Sequence, residues 1–138
     1  MNFFTVRPAR NGETINCAIA GTDMVLPLTA AQEAARPFLA QWIDRDLILG
    51  VRPEAFLYPN PIAGGLKSKV LITEMTGADA YAFFDNPGTK NTGSLLSASR
   101  ITARIDPRHL PKADEEIHIG VDMDRAHFFD PATGLALR

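Results

Sequence analysis

Three histidines are the residues whose type and spacing could first suggest a metal site. His109, His118 and His127 recur at intervals of nine residues, and imidazole is a common metal ligand. His118 alternates with Ile117 and Ile119, so its ring should point away from the face that the isoleucines bury. No helical or hairpin spacing would bring the three rings to one ion. We therefore predict three separate histidines and no metal site.

Three acidic residues near the end of the chain have part of the spacing of a calcium-binding loop. These are Asp122, Asp124 and Asp130. Ala126 stands where a third ligand would be, and the glycine that makes the sharp turn of such a loop is missing. We interpret these carboxylates as turn and strand-end residues.

Motifs for nucleotide hydrolysis and nucleophilic catalysis are absent from the sequence. The nearest approach to a P-loop is Gly65-Leu66-Lys67-Ser68, in which Leu66 replaces the glycine that should precede the lysine. We interpret this stretch as a surface turn. No two glycines are separated by a single residue, and no serine lies in a Gly-x-Ser-x-Gly elbow. The sequence predicts no catalytic residue.

The composition is typical of one soluble domain. The 138 residues carry a net charge of -2, which leaves no surplus of positive charge for a phosphate backbone and argues against nucleic acid as a partner. Cys17 is the single cysteine, as is common in a reducing compartment. The longest apolar runs, such as Met24 to Leu28, are too short to span a bilayer. We therefore expect a cytoplasmic protein.

Short apolar segments separated by Pro and Gly, ten of each, predict an all-β fold with about eight or more strands. Two strands alternate clearly with a period of two, namely Ile101 to Ile105 and Ile117 to Val121. The other strand candidates are Ile15 to Ala20, Met24 to Leu28, Leu47 to Val51, Val70 to Met75, Ala80 to Phe84 and Ala126 to Phe129. We find no internal repeat in the sequence.

The connections between these strands are predicted from turn and helix signals. Thr76-Gly77-Ala78-Asp79 supplies turn residues for a hairpin. Thr29 to Asp44 favours one or two short helical turns, with Thr29 as a cap and Pro37 as a break or restart. The segment Asp85 to Ser99 has the polar composition of a surface loop.

Two pairs of adjacent phenylalanines suggest a surface for a partner. In a strand, Phe83-Phe84 and Phe128-Phe129 each place one ring inside and one outside. The outer ring of each pair could cover a partner protein.

Two motifs in the chain resemble a known family of regulatory domains. Gly50-Val51-Arg52-Pro53-Glu54 is similar to the Gly-Ile/Val-Arg-Pro-Glu signature of the transport-associated OB-fold (TOBE, MalK-type) domains that follow the ATPase domain in sugar-importer ATPases. His127-Phe128-Phe129-Asp130, followed by Thr133 to Leu137, resembles the family's closing pattern. The stretch Val70 to Gly77, with Glu74, and the start Met1-Asn2-Phe3 are also similar. The resemblance departs at Ala55, Phe56 and Phe128, and the Asp85 to Ser99 loop is long.

The resemblance implies small OB-like barrels in one C-terminal regulatory domain, with 1–49 and 50–138 as intertwined halves and the ATPase domain absent. It implies no cofactor in this chain, with ATP and Mg²⁺ on the absent domain. The implied partners are a second copy, the ATPase domain, the transporter's membrane subunits and a regulatory protein, and the implied location is the inner face of the cell membrane. Interface candidates are His127, Phe128, Phe129 and Asp130.

The residues of the first motif also have a structural interpretation. Pro53 should end the preceding strand and hold Arg52 extended, and Arg52 and Glu54 could then tie two parts of the barrel together by charge-assisted hydrogen bonds. An alternative function from another class is a free-standing OB-type module that binds a small solute or an oxyanion.

Overall fold

The fold is nearly all β. The structure, a computed structural model, describes residues 1–61, 64–87 and 100–138, and within them it has ten strands and one α-helix, α1 (Ala30–Ala34). The strands are β1 (Asn2–Asn11), β2 (Thr14–Ile19), β3 (Val25–Pro27), β4 (Leu47–Val51), β5 (Phe56–Leu57), β6 (Leu66–Thr76), β7 (Asp79–Asp85), β8 (Arg100–Ile105), β9 (Glu116–Val121) and β10 (His127–Phe129). The all-β prediction is confirmed.

The strands form two five-stranded sheets that share one apolar core. The first sheet has the order β10-β4-β1-β2-β3, and the second has the order β5-β9-β6-β7-β8. All described pairings are antiparallel. Phe4 of the first sheet and Phe84 of the second both pack edge to face against Phe56, with ring centroids 6.4 and 6.1 Å apart. The two sheets therefore bury their inner faces against each other.

The topology contains an internal repeat, although no repeat is found in the sequence. The units β1–β5 and β6–β10 follow one plan, in which the first strand pairs with the second and the fourth, and the second pairs with the third. In each unit the fifth strand leaves its own sheet and pairs with the fourth strand of the other unit. The two units thus exchange their last strands.

The strands that precede the exchanged strands, β4 and β9, have similar sequences. Leu47-Ile48-Leu49-Gly50-Val51 forms β4, and Ile117-His118-Ile119-Gly120-Val121 forms the end of β9. Each strand leads into a 3₁₀ turn, Pro53–Ala55 in one unit and Met123–Arg125 in the other. This single five-residue similarity is too short to reveal a repeat in the sequence.

Strand β1 was not predicted, because Pro8 lies within it and proline is rare inside sheets. The structure accommodates Pro8 beyond the last β1–β4 pair, Val6 opposite Leu47. No ladder hydrogen bond to β4 is therefore lost at Pro8. Its carbonyl accepts a hydrogen bond from the Asp44 backbone at 2.7 Å.

The interpretation of Gly65 to Ser68 as a surface turn was wrong. Leu66 begins β6, the longest strand, and its side chain is fully buried. Gly65 has a φ of +106°, and a Cβ there would lie 2.6 Å from the Ile119 carbonyl oxygen. The lysine of this stretch, Lys67, pairs with His118 in a β-ladder, so the stretch has no phosphate-binding geometry.

The helical prediction for Thr29 to Asp44 is confirmed. Thr29 caps α1 through a capping box with Gln32, and a 3₁₀ helix restarts at Pro37 and runs to Trp42. The predicted Thr76–Asp79 hairpin turn is also confirmed, since Thr76 pairs with Asp79. Of the predicted loop, Asp85 is the last residue of β7, and residues 88–99 lie outside the described residues.

Two asparagine side chains connect the sheets. Asn2 is buried in the first sheet, and its amide group donates to the carbonyl oxygens of Val51 at 3.0 Å and Thr102 at 2.8 Å. Its Oδ1 accepts from the Thr102 backbone N–H at 2.9 Å. Asn86, which follows β7, donates to the Phe3 carbonyl oxygen at 2.8 Å. The Asn2 amide thus pairs with β8 of the second sheet in the way that a neighbouring peptide group would.

Replacing Asn2→Leu should lower the free energy of unfolding by about 3 kcal/mol, because it leaves both backbone groups of Thr102 without partners in a desolvated position. Urea unfolding followed by circular dichroism measures this change. The matched control is Asn16→Leu on β2, whose side chain is half-exposed and should change stability by about 0.5 kcal/mol or less. Equal losses in the two variants would contradict the role given to Asn2.

Candidate functional site

The Gly50 to Glu54 motif begins in the middle of the first sheet. All five residues of β4 are buried, and Gly50 lies between Phe3 of β1 and His127 of β10 in the ladder. The two motifs singled out in the sequence, Gly50 to Glu54 and His127 to Asp130, are therefore neighbours in space.

Gly50 is required by close packing. A Cβ built at this position would lie 2.5 Å from Met1 Sδ and 2.7 Å from Phe129 Cε2, well inside van der Waals contact. Phe3 and Phe129 meet edge to face, with ring centroids 5.9 Å apart and planes at 72°. The absent side chain of Gly50 makes room for these groups against the sheet.

Met1 and the two rings form an apolar patch on the outside of the first sheet. We call Met1, Phe3 and Phe129 the outer patch. Phe3 lies opposite Gly50 and Phe129 lies opposite Ile48, so each pair shares one face of the sheet. The Ile48 side chain is fully buried although it lies outside the shared core. Both rings are half-buried, and Met1 is 47% exposed.

The four interface candidates have different positions. Phe128 is only 2% exposed and packs in the shared core, so its side chain presents no surface to a partner. Phe129 belongs to the outer patch, His127 is exposed beside it, and Asp130 is half-exposed in the turn that follows. The prediction of one ring inside and one outside is confirmed for Phe128-Phe129, and also for Phe84 and Phe83 of β7.

The closing motif folds back on β10. Gly134 N–H donates to the Asp130 carbonyl oxygen at 2.7 Å, and Leu137 N–H donates to the Phe128 carbonyl oxygen at 2.8 Å. Gly134 has a φ of +72°, which is why glycine suits this turn. The motif therefore holds β10, and with it Phe129, in place.

Pro53 and Arg52 have the predicted backbone roles. β4 ends at Val51, Arg52 is extended with φ −74° and ψ 151°, and Pro53 starts the 3₁₀ turn. The predicted ion-pair tie was wrong. Among the described residues, the exposed side chains of Arg52 and Glu54 form no hydrogen bond or ion pair.

Backbone groups make the connection that had been assigned to these side chains. The Glu54 carbonyl oxygen accepts from Arg125 Nη1 at 3.0 Å, and the Ala55 carbonyl oxygen accepts from the Asp122 N–H at 2.8 Å. The two 3₁₀ turns of the repeat are thus joined directly. The charged ends of Arg52 and Glu54 are exposed in the structure.

Glu54 lies on a shallow groove whose rim is charged. The groove, about 500 Å³ in volume, is lined by Glu54, Ala78, Asp79, Arg104, Ile105, Asp106, Pro107 and Arg125. Arg104 pairs with Asp79 at 3.0 Å, and Arg108 pairs with Asp106 at 2.7 Å. Hydrogen bonds from Arg108 lower the pKa of the Asp106 carboxyl to about 2.

Glu74 and Gly77, which belong to the similar stretch Val70 to Gly77, lie on the β6–β7 hairpin. Gly77 is at its tip with a φ of +62°, and a Cβ there would meet nothing, so backbone conformation alone favours glycine at this position. Glu74 is exposed on β6, opposite Tyr81. The tip is next to the groove through Ala78, whereas Gly50 is in the other sheet.

The residues considered as metal ligands lie in separate elements. His109 is in a 3₁₀ turn, His127 is in β10, and His118 Nε2 lies 2.7 Å from the Gly64 carbonyl oxygen. Within residues 1–61, 64–87 and 100–138 no three such ligands come together. Asp122 and Asp130 accept hydrogen bonds from backbone N–H groups two residues ahead, so their interpretation as turn residues is confirmed.

Burial raises the pKa of the Cys17 thiol to about 12.

Arg36 was missed by sequence reasoning. Its Nη2 donates to the carbonyl oxygens of Met123 at 2.5 Å and Ala126 at 3.2 Å, and its guanidinium lies 5.8 Å from the centre of the Phe128 ring. It thereby fixes the start of β10 from the helical segment. No local pattern marks an arginine for long-range contacts of this kind.

The fold is that of an OB-type domain. Residues 1–56 match the family model "MalK OB fold domain", which confirms the resemblance drawn from the motifs.

The chain is also similar to curated transport proteins. It is 34% identical over 108 residues to the sulfoquinovosyl glycerol transport ATP-binding protein SmoE of Agrobacterium fabrum. The aligned region covers 78% of this chain and 26% of that protein. It is 31% identical over 110 residues to the sn-glycerol-3-phosphate import ATP-binding protein UgpC of Yersinia pestis, covering 80% of this chain and 27% of the relative. The chain thus spans about a quarter of the length of these relatives.

A solved structure has a similar fold. The cytoplasmic molybdate-binding protein ModG superposes with a TM-score of 0.57 at 12% identity, covering 92% of this chain and 94% of that chain. At this identity the similarity establishes the fold alone. Across the described residues, no helix has the length and apolar character needed to cross a membrane.

Replacing Gly50→Ala should lower the free energy of unfolding by about 1–3 kcal/mol, because the added methyl must displace Met1 and Phe129. The double variant with Phe129→Ala should lose less than the sum of the two single changes, since the smaller side chain makes room for the methyl. Urea unfolding of the original chain, the two single variants and the double variant gives a double-mutant cycle. Strict additivity would show that Phe129 does not impose the glycine.

The Asp106 carboxyl should titrate at a pKa of about 2, and Arg108→Gln should return it toward 3.8. Because the folded pKa lies below the ordinary value, this pair stabilises the fold above about pH 4 and loses its effect as the pH falls from 4 to 2. Carboxyl carbon NMR titration measures the pKa. The matched change Arg125→Gln should leave the Asp106 titration as it is, and a shift there would contradict the assignment to Arg108.

Proposed function

We propose that this chain is the regulatory and dimerisation domain of the ATP-binding subunit of an ABC importer for sugars or related solutes. The match of residues 1–56 to the MalK OB fold domain model carries the proposal. The relatives' names support it, since they refer to transport of sulfoquinovosyl glycerol and of sn-glycerol-3-phosphate by ATP-binding proteins. In this proposal ATP and Mg²⁺ bind a separate ATPase domain, and this chain has no catalytic role.

The partners follow from the same proposal. A second copy of the chain, the ATPase domain, the membrane subunits of the transporter and a regulatory protein all contact the parent protein. The domain is then cytoplasmic and peripheral to the inner face of the membrane. Its function is protein contact.

The outer patch is the surface that best suits dimerisation. Met1, Phe3 and Phe129 place apolar groups on the outside of a sheet, where nothing in the described chain covers them fully. The Arg7–Asp46 ion pair, at 3.0 Å, lies on the same sheet, with Arg7 on β1 as Phe3 is, and supplies charged residues there. An aromatic centre with polar surroundings is common at protein interfaces, and a two-fold dimer would bring the same patch of both copies together.

Phe129→Asp should weaken self-association of the chain by about tenfold or more, because it would bury an unpaired charge in the contact. Sedimentation equilibrium over a range of concentrations measures the dissociation constant. The matched control is Leu135→Asp, at a side chain that is 69% exposed in the same C-terminal segment, and it should leave association unchanged. Circular dichroism shows that both variants are folded.

A chain that stays monomeric at every concentration, or equal effects of the two substitutions, would contradict dimerisation through the outer patch. The alternative function, a free-standing OB-type module for a small solute or an oxyanion, is tested by calorimetric titration with molybdate. Saturable binding of molybdate would favour that alternative over the regulatory proposal.

A further inference from the structure

Strand β6 has a free edge on the second sheet. β9 pairs with β6 only from Leu66 to Lys69, and the backbone of Val70 is held by Glu115 at 2.9 Å and by Asp114 at 2.7 Å. From there to Thr76, the described partner of β6 is β7, on one side only. We call residues 71–76 the free edge.

Within the part of the chain that the structure describes, the free edge presents unpaired backbone groups. Gly77 and Ala78 form the two-residue turn of the hairpin, closed by the pair Thr76 and Asp79. In such a hairpin the closing pair exchanges hydrogen bonds and the pairs alternate from there. Thr73 and Met75 fall at the alternate positions, so their N–H and C=O groups point to the open side.

Apolar side chains extend from both faces of this edge. Ile72 is 49% exposed and Met75 is 56% exposed, and an odd separation of three residues places them on opposite faces of the strand. A helix laid against the sheet would cover one of these faces. An added strand would cover both, because its own side chains alternate between the two faces.

The equivalent edge in the other half of the repeat is closed by the chain itself. There the outer side of β1 receives the Asp44 N–H at the Pro8 carbonyl oxygen, and α1 is tied to the hairpin by the Arg10–Glu33 ion pair at 2.7 Å. In the second half the corresponding connection, from β8 to β9, has only the 3₁₀ turn Pro107–His109. The open edge is thus a specific difference between two halves of one plan.

Charge identifies the kind of strand that would fit. The free edge carries Glu74, and Asp114, Glu115 and Glu116 lie at its inner end, where β9 departs, against Lys69 and Lys112. The balance around the edge is acidic. A second copy paired antiparallel would bring Glu74 of one edge toward the acidic end of the other, which like charges disfavour.

We propose that the free edge of β6 binds an extended segment of another protein, one with Lys or Arg among apolar residues, which adds to the second sheet as a further strand. The surface belongs to a different sheet from the outer patch, so the proposal is independent of dimerisation through Phe129.

The test uses an eight-residue peptide of alternating Val and Lys, titrated into the labelled 138-residue chain and followed by amide NMR shifts. The expected result is saturable binding, with the largest shifts at residues 72–76. Shifts centred on another surface, or equal binding of a peptide with Glu in place of Lys, would overturn the proposal. Shifts at the free edge that grow with protein concentration and need no peptide would show that a second copy is the occupant, which also overturns it.

Two variants locate the contact. Thr73→Pro removes an outward N–H without removing a β6–β7 hydrogen bond, and it should weaken peptide binding about tenfold. Glu74→Lys keeps the backbone and reverses the charge, so it should weaken binding of the Lys peptide and strengthen that of the Glu peptide. Glu13→Lys, at the tip of the closed β1–β2 hairpin, is the matched control and should bind as the original chain does. Unchanged binding in Glu74→Lys would overturn the proposal even if Thr73→Pro fails to fold.

Discussion

Neither sheet of this protein is complete without a strand from the other half of the chain. β10 closes the first sheet against β4, and β5 closes the second against β9. The exchange is secured where the two 3₁₀ turns meet, through the hydrogen bonds of Arg125 to Glu54 and of Asp122 to Ala55. Asn2 adds a link between the sheets near the same place. The core, the outer patch and the charged groove all depend on this crossing.

The crossing also explains why the family motifs lie where they do. Gly50 sits on the strand that receives β10, and the absence of a side chain lets Phe129 and Met1 pack closely there. Pro53 ends that strand and starts the turn that carries the chain to the other sheet. The closing motif around Gly134 folds the last residues back on β10. These residues are structural in their contacts, and they shape the outer patch.

Local signals were sufficient to predict much of the fold. The alternation of Ile101 to Ile105 and Ile117 to Val121 located β8 and β9, because each strand has one buried face. Thr29 and Pro37 located the helical segments through capping and φ restriction, which act within a few residues. The errors arose where a distant partner decides the outcome. Pro8 is tolerated because β4 begins opposite Val6 and does not extend to it, and Leu66 is buried because β9 pairs with it. Among the described residues the side chains of Arg52 and Glu54 have no partner, and Arg125 binds the Glu54 backbone oxygen instead.

The position of β10 has a consequence for how the chain is made. Within these 138 residues β1 to β4 are synthesised before β10, so the edge of β4 that faces β10 stays open until residues 127–129 have been made. Domains commonly fold from the N-terminus during synthesis, but here the first sheet cannot be completed until β10 is available. The two halves should therefore become ordered together and late, and a chain that stops before His127 would expose the buried β4 as an unpaired edge open to aggregation.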